Sequence, residues 1–183
     1  MQASVFVGTS LDGFIARLDH SFDFLPADGG EPHGYREFME TVDALVIGRK
    51  TYEVVLRFGE WPYSDKSVIV LSNSELAPAP QDARVERMSG EPGRIWSELQ
   101  SRGLRHLYVD GGITIQRFLA AGLIQRIVIT RVPVLIGSGI PLFGTLPSDI
   151  RLRHLATRSF PSGLVQSEYR VGEKSEDSLS ALW

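Results

Sequence analysis

An apolar run passes into two glycines and then, without a break, into a helical pattern: Tyr108-Val109-Asp110-Gly111-Gly112-Ile113-Thr114-Ile115. Few architectures accommodate that order. A buried strand followed at once by a helix belongs to an α/β fold, in which crossover helices pack back onto a mainly parallel sheet. Without Cβ atoms the turn lets the backbone approach a ligand closely and aim amides at an anionic group. Ala44-Leu45-Val46-Ile47 has the same build, ending in Gly48 and continuing with Arg49, Lys50 and Thr51. Two such strand ends predict a phosphorylated cofactor or substrate.

The rest of the chain fits the same plan. Residues 3–7 read as a first strand, followed by a turn at Asp12-Gly13. Residues 18–34 carry Asp, Gly and Pro without a period and predict a long loop of the kind that covers active sites. Tyr35, Phe38, Met39 and Val42 recur at helical spacing, and residues 50–56 predict a second helix. Strands are expected at 67–71, 84–88, 105–109 and 124–132, with helices at 93–102 and from the paired glycines to Gly122. Residues 133–143 form a glycine-rich irregular stretch, and two late strands, 152–160 and 164–171, flank the turn Pro161-Ser162-Gly163. The expectation is α/β: a central, mostly parallel sheet with antiparallel C-terminal strands, flanked by helices. One domain spans 1–171; residues 172–183 are a polar tail whose Leu179, Leu182 and Trp183 are suited to docking on a partner.

At 183 residues the chain is long enough for one sizeable core. A net charge of -3 gives no support to a nucleic-acid surface. The absence of cysteine excludes a disulfide scaffold, a thiol nucleophile and thiolate metal ligands. No apolar run approaches membrane-spanning length, and no basic segment precedes a long apolar one at the start, so a cytoplasmic location is expected. His20, His33, His106 and His154 show no metal-binding spacing, and no serine sits in a G-x-S-x-G elbow.

Gly48, Arg49, Lys50 and Thr51 are suited to a pyrophosphate, or else form a surface turn with a capping threonine. Ser72 and Asn73 sit at the next strand end, where they bond a ribose or its phosphate or simply close a turn. Gly111 and Gly112 are more specific, yet the full G-x-G-x-x-G pattern is missing, which disfavours the ordinary dinucleotide-binding fold. Asp110 faces a ligand or forms the turn. Asp12 orients substrate or fixes its own loop. Trp61 lines a flat pocket or anchors its loop to the core.

Together these segments resemble the dihydrofolate-reductase-like family, most closely the branch related to the C-terminal reductase domain of the bifunctional riboflavin-biosynthesis protein. The carriers are Ser10-Leu11-Asp12-Gly13, Val46-Ile47-Gly48-Arg49-Lys50-Thr51-Tyr52, Val70-Leu71-Ser72, Val109-Asp110-Gly111-Gly112 and residues 134–143. They run in unbroken order over about residues 2–171. The resemblance implies an eight-stranded sheet with NADPH across its strand ends. It assigns cofactor contacts to Gly48, Arg49, Lys50 and Thr51, to Leu71, Ser72 and Asn73, and to Asp110, Gly111, Gly112, Ile113, Thr114 and Ile115. Arg49 would meet the adenosine 2'-phosphate, and the segment from Thr9 to Ala16 would cover the nicotinamide. It also implies a homodimer formed through a late strand or the 133–143 loop.

True dihydrofolate reductases carry a carboxylate early in the helix before the second core strand; here that position falls near Gly34. Glu37 lies one turn later, and Asp28 and Glu31 precede it. The fused deaminase and its zinc signature are absent from the sequence. The resemblance therefore implies an NADPH-dependent reductase of a small heterocyclic or ribosyl-aminopyrimidine-like substrate, its proton supplied by water, Asp12 or a loop carboxylate. The alternatives are a dihydrofolate reductase with its acid displaced to Glu31 or Glu37, and a non-catalytic nucleotide-binding protein.

Overall fold

The computed structural model describes residues 1–26, 31–63 and 65–172. Asp28 and the tail from 173 onward lie outside the described residues. In chain order the elements are β1 (Gln2–Ser10), β2 (Phe14–Ala16), α1 (Tyr35–Glu40), β3 (Ala44–Gly48) and α2 (Arg49–Val55). A 3-10 turn (Leu56–Phe58), β4 (Ser67–Leu71), β5 (Arg84–Met88), α3 (Pro92–Ser101), β6 (His106–Asp110) and α4 (Gly112–Ala120) follow. The chain continues with β7 (Arg126–Val132), β8 (Ile140–Pro141), β9 (Leu152–Ser159) and β10 (Val165–Val171).

One eight-stranded sheet runs in the order β5-β4-β3-β6-β1-β7-β10-β9. The first six strands are mutually parallel, whereas β10 is antiparallel to both β7 and β9. The expected architecture is therefore present, including the strand count. β3 explains its unbroken apolar sequence: Ala44 and Val46 enter one core layer while Leu45 and Ile47 enter the other. The first layer packs under α3 and α4 through Ile95, Leu99, Ile115, Phe118 and Leu119. The second packs under α1 and α2 through Phe38, Tyr52 and Val55. α4 stops where the sequence predicts, because Gly122 at φ 68° closes it, with the Gly122 and Leu123 amides donating to the Leu119 and Phe118 carbonyls.

Two boundaries differ from expectation. β1 runs on to Ser10, because its far end pairs along β7 as far as Ser10 with Val132, a partner that the local sequence does not reveal. Phe14–Ala16, which follows the expected turn at Asp12-Gly13 and to which the sequence assigns no element of its own, pairs with Ile140–Pro141 from the glycine-rich stretch. Gly139 permits this closeness: a Cβ there would strike the Ala16 carbonyl oxygen. No helix among the described residues is long and apolar enough to cross a membrane.

Candidate functional site

The parallel strands all finish at one edge, and their registers bring the sequence-predicted turns together. Gly48 pairs with Leu71, Ile47 with Asp110, and Leu71 with Met88. The turn after β3 and the turn after β6 interlock. A Cβ on Gly111 would strike the Thr51 hydroxyl oxygen and lie 3.8 Å from the Gly48 nitrogen, and one on Gly48 would lie 2.9 Å from the Thr114 hydroxyl oxygen. Gly111 adopts φ 91° and ψ 133°, a backbone state that side chains resist, and its carbonyl accepts the Ile115 amide to start α4. Thr114 and Ile115 are buried, whereas Ile113 is 72% exposed at the mouth of the edge.

Arg49 and Lys50 project from the first turn of α2 and share Glu53: Arg49 Nη1 donates to Oε1 at 2.6 Å and Lys50 Nζ to Oε2 at 3.0 Å. Both cations are half-exposed, and together they leave one net positive charge beside the glycine turns. The Ser72 hydroxyl donates to the Ser74 carbonyl at 2.7 Å and accepts the Ser74 amide, so it shapes the turn after β4; Asn73 is exposed. Thr9 is buried in β1, and Ala16 closes the ladder with Ile140.

Asp110 is the electrostatic centre of this edge. Its Oδ1 accepts the Gly111 amide at 2.7 Å, and burial pushes its pKa up, favouring the protonated acid more than at an exposed site. Its charge and their own burial in turn push up the hydroxyls of Tyr35, Tyr63 and Tyr108, Tyr35 to about 12. The Tyr108 hydroxyl donates to the Phe6 carbonyl at 2.7 Å, which ties β6 to β1 below the site.

On the α1 and α2 face lies a cavity of about 190 Å³. Its floor is β1 and β7, through Phe6 and Gly8 on one strand and Thr130 and Val132 on the other. His33 and Tyr35 at the head of α1 form one wall, and Leu25 and Pro26 of the long loop close over it. Gly8 makes that closure feasible, since a Cβ would lie 2.9 Å from Leu25 Cδ2. The lining is held from behind: buried Gln166 donates to the His33 carbonyl at 2.9 Å and to Thr130 Oγ1 at 3.0 Å.

The three proposed carboxylates stand apart from Asp110. Asp12 accepts the Ile136 and Gly137 amides, at 2.8 Å for Gly137, and so fastens the stretch after β7; Ser10 and these amides hold its pKa down. Glu31 accepts the Ser162 amide at 2.8 Å and hydroxyl at 2.6 Å, so it ties the segment before α1 to the β9–β10 turn, and Ser162 holds its pKa down. Glu37 is exposed in the first turn of α1. Gly34 caps that helix at φ 86° with open space around it. Trp61 packs edge-on against Tyr52 and Tyr63, at 6.2 and 5.5 Å between ring centres, which makes it a core anchor. Sequence reasoning missed Gly8, Leu25, His33, Thr130 and Gln166. They come from four separate segments, and only the β1–β7 and β7–β10 pairings unite them.

The profile of the RibD C-terminal domain matches residues 4–166. The uncharacterised protein YwjB of Bacillus subtilis (strain 168) is 34% identical over 159 residues, covering 85% of this chain and 90% of that one. A solved Shewanella sp. PV-4 structure, titled as a candidate riboflavin biosynthesis protein, is 39% identical with a TM-score of 0.85, covering 94% of this chain and all of that one. A Thermotoga maritima diaminohydroxyphosphoribosylaminopyrimidine deaminase/5-amino-6-(5-phosphoribosylamino)uracil reductase shares the fold at a TM-score of 0.69 and 16% identity. This chain covers 56% of that bifunctional one, and 92% of this chain is covered. By family profile, identity and overall structural match, the chain belongs to the RibD C-terminal domain family, within the dihydrofolate-reductase-like superfamily.

Proposed function

We propose that this protein is an NADPH-dependent reductase of a small heterocyclic substrate. The observation that carries the reading is the interlock of Gly111 against Thr51 and of Gly48 against Thr114, which sets the two glycine turns side by side with the cation pair of α2 next to them. The turn at Gly111 that opens α4 suits a pyrophosphate, and Arg49, with Ser72 and Asn73 nearby in register, suits a 2'-phosphate. Ile113 offers an apolar surface at the same mouth. When bound, NADPH supplies the hydride.

The chain's own part is placement and proton supply. The β1–β2 segment, stapled by Asp12 to the stretch after β7, is the element we assign to the nicotinamide. The cavity holds the ring to be reduced and excludes water, which is the main protein contribution to hydride transfer. A hydride adds to the electrophilic carbon and a proton to its nitrogen or oxygen neighbour. We propose Asp110 as the source of that proton: it stands outside the cavity lining but interacts electrostatically with Tyr35 in the cavity wall, and burial raises its pKa whereas donors hold those of Asp12 and Glu31 down.

Arg49→Ala tests the cofactor assignment by titration with NADPH and NADH in parallel. Loss of a charge-assisted phosphate contact should weaken NADPH by roughly 10- to 100-fold and leave NADH nearly unchanged. Equal losses refute the role given to Arg49.

A further inference from the structure

We infer that Gln166 is a positioning residue for the cavity: it makes the Thr130 hydroxyl a hydrogen-bond donor towards the occupant, which is thereby selected for an acceptor atom at that point. This rests on the reductase reading in taking the cavity as the substrate's seat. Donor polarity carries the argument. Gln166 stands directly across from Thr130 in the β7–β10 ladder, and both side chains are buried. One atom, Gln166 Nε2, makes two contacts, 2.9 Å to the His33 carbonyl and 3.0 Å to Thr130 Oγ1. A backbone carbonyl only accepts, so the end of the amide that faces it is the NH₂ and not the oxygen. An NH₂ only donates, and its two protons serve these two acceptors.

Thr130 Oγ1 is therefore an acceptor towards Gln166, and its own proton points away from the amide. The ladder gives that proton no partner, because β7 is paired on both sides at this register, with Gly8 of β1 and with Gln166 of β10. The side left open is the cavity, which Thr130 lines. Accepting one hydrogen bond also strengthens the one that the same hydroxyl gives. The far end of the amide fixes the whole arrangement. The His33 carbonyl directly precedes Gly34, whose φ of 86° opens α1, and His33 Nδ1 is held by the Glu31 carbonyl at 3.0 Å. Turned over, the amide would set its oxygen against that carbonyl, so the orientation that presents a donor to the cavity is locked.

The test applies a matched pair of fragments to the full chain: cyclohexanone, and methylenecyclohexane, in which CH₂ replaces the carbonyl oxygen. A space of about 190 Å³ admits either, given that roughly 150 Å³ holds benzene. Affinities are read by ¹⁵N–¹H NMR titration. Comparing the ketone-to-hydrocarbon ratio between variants cancels the unequal hydration of the free fragments. Thr130→Ser should keep the parent ratio, and Thr130→Val should lower it roughly two- to tenfold. Gln166→Glu, whose carboxyl accepts the Thr130 proton, should lower it as far although Thr130 is intact. A Gln166 that merely braced the wall would weaken both fragments alike and leave the ratio where it was. The spectrum adds a second signature. The Gln166 side-chain NH₂, identified by its loss in Gln166→Glu, should exchange slowly with water at both protons in the parent and in Thr130→Ser, and at one proton in Thr130→Val. Should Gln166→Glu fail to fold, the two Thr130 variants and this signature decide. A ratio unchanged in Thr130→Val or in folded Gln166→Glu overturns the inference, and so does failure of both fragments to bind. NADPH is titrated separately. A chain whose ratio responds as expected but that does not bind NADPH refutes the reductase reading and leaves this one standing; one that binds NADPH with an unresponsive ratio refutes this one alone.

Discussion

Gly111→Ala separates the backbone cost of the interlock from its steric cost. At φ 91° and ψ 133° an alanine occupies a region that is essentially reserved for glycine, at about 1–3 kcal/mol. Its new Cβ would also strike the Thr51 hydroxyl, and overpacking of that kind costs about 1–3 kcal/mol more. The sum, about 2–6 kcal/mol, corresponds to a Tm lower by roughly 4–24 °C for a chain of this length. Thr51→Ala removes the struck oxygen, so a double-mutant cycle on thermal unfolding should show a favourable coupling of about 1–2 kcal/mol, with the backbone share left in place. NADPH affinity should fall in Gly111→Ala and stay low in the double variant, because the methyl still occupies the turn. A Gly111→Ala protein that melts within about 2 °C of the parent, or a coupling near zero, would mean that the two turns are not packed as described.

Asp110→Asn keeps the acceptor for the Gly111 amide and removes the cost of a carboxyl whose pKa burial raises, so the melting temperature at neutral pH should rise by an amount equivalent to about 0.5–2 kcal/mol while turnover falls by roughly 100-fold; a destabilised variant or unchanged turnover would contradict the role. His106 links Ser4 Oγ at 2.8 Å to the Thr41 carbonyl at 2.9 Å, and burial depresses its pKa. The unfolded chain therefore binds a proton first as pH falls. Stability should hold above about pH 6.5 and decline below it, and a urea-unfolding series of His106→Gln against the parent should show that slope shrink. Glu31→Gln weakens the tie to Ser162 and frees one wall of the cavity, so ring affinity should drop with NADPH affinity unchanged; parallel losses would point to a general loss of structure instead.

The sheet was legible because its strands are buried on both faces and therefore spelled in consecutive apolar residues, as in β3 and β6. The edge where the glycine turns meet was legible for a related reason. Each turn follows its strand directly, so Gly48-Arg49-Lys50-Thr51 and Asp110-Gly111-Gly112 are contiguous words. The cavity was not. Gly8, Leu25, His33, Thr130 and Gln166 meet only through tertiary pairing, and nothing in their neighbours marks them. Glu31 shows the same limit in another form. Its sequence position suggested an acid for the substrate, whereas its two oxygens meet Ser162 at a turn that no local pattern connects to it.

The place of β1 has a consequence for how the chain acquires its shape. It is synthesised before the other strands of this sheet, yet it lies inside it, where Gln2 waits for His106 and Ser4 for Arg126. Both of its edges remain open on the ribosome until β6 and β7 emerge. Such long-range parallel pairing is slow to form and exposes aggregation-prone strands while it waits. Nascent chains arrested before residue 126 should therefore engage chaperones heavily, whereas release beyond β7 should let the sheet close.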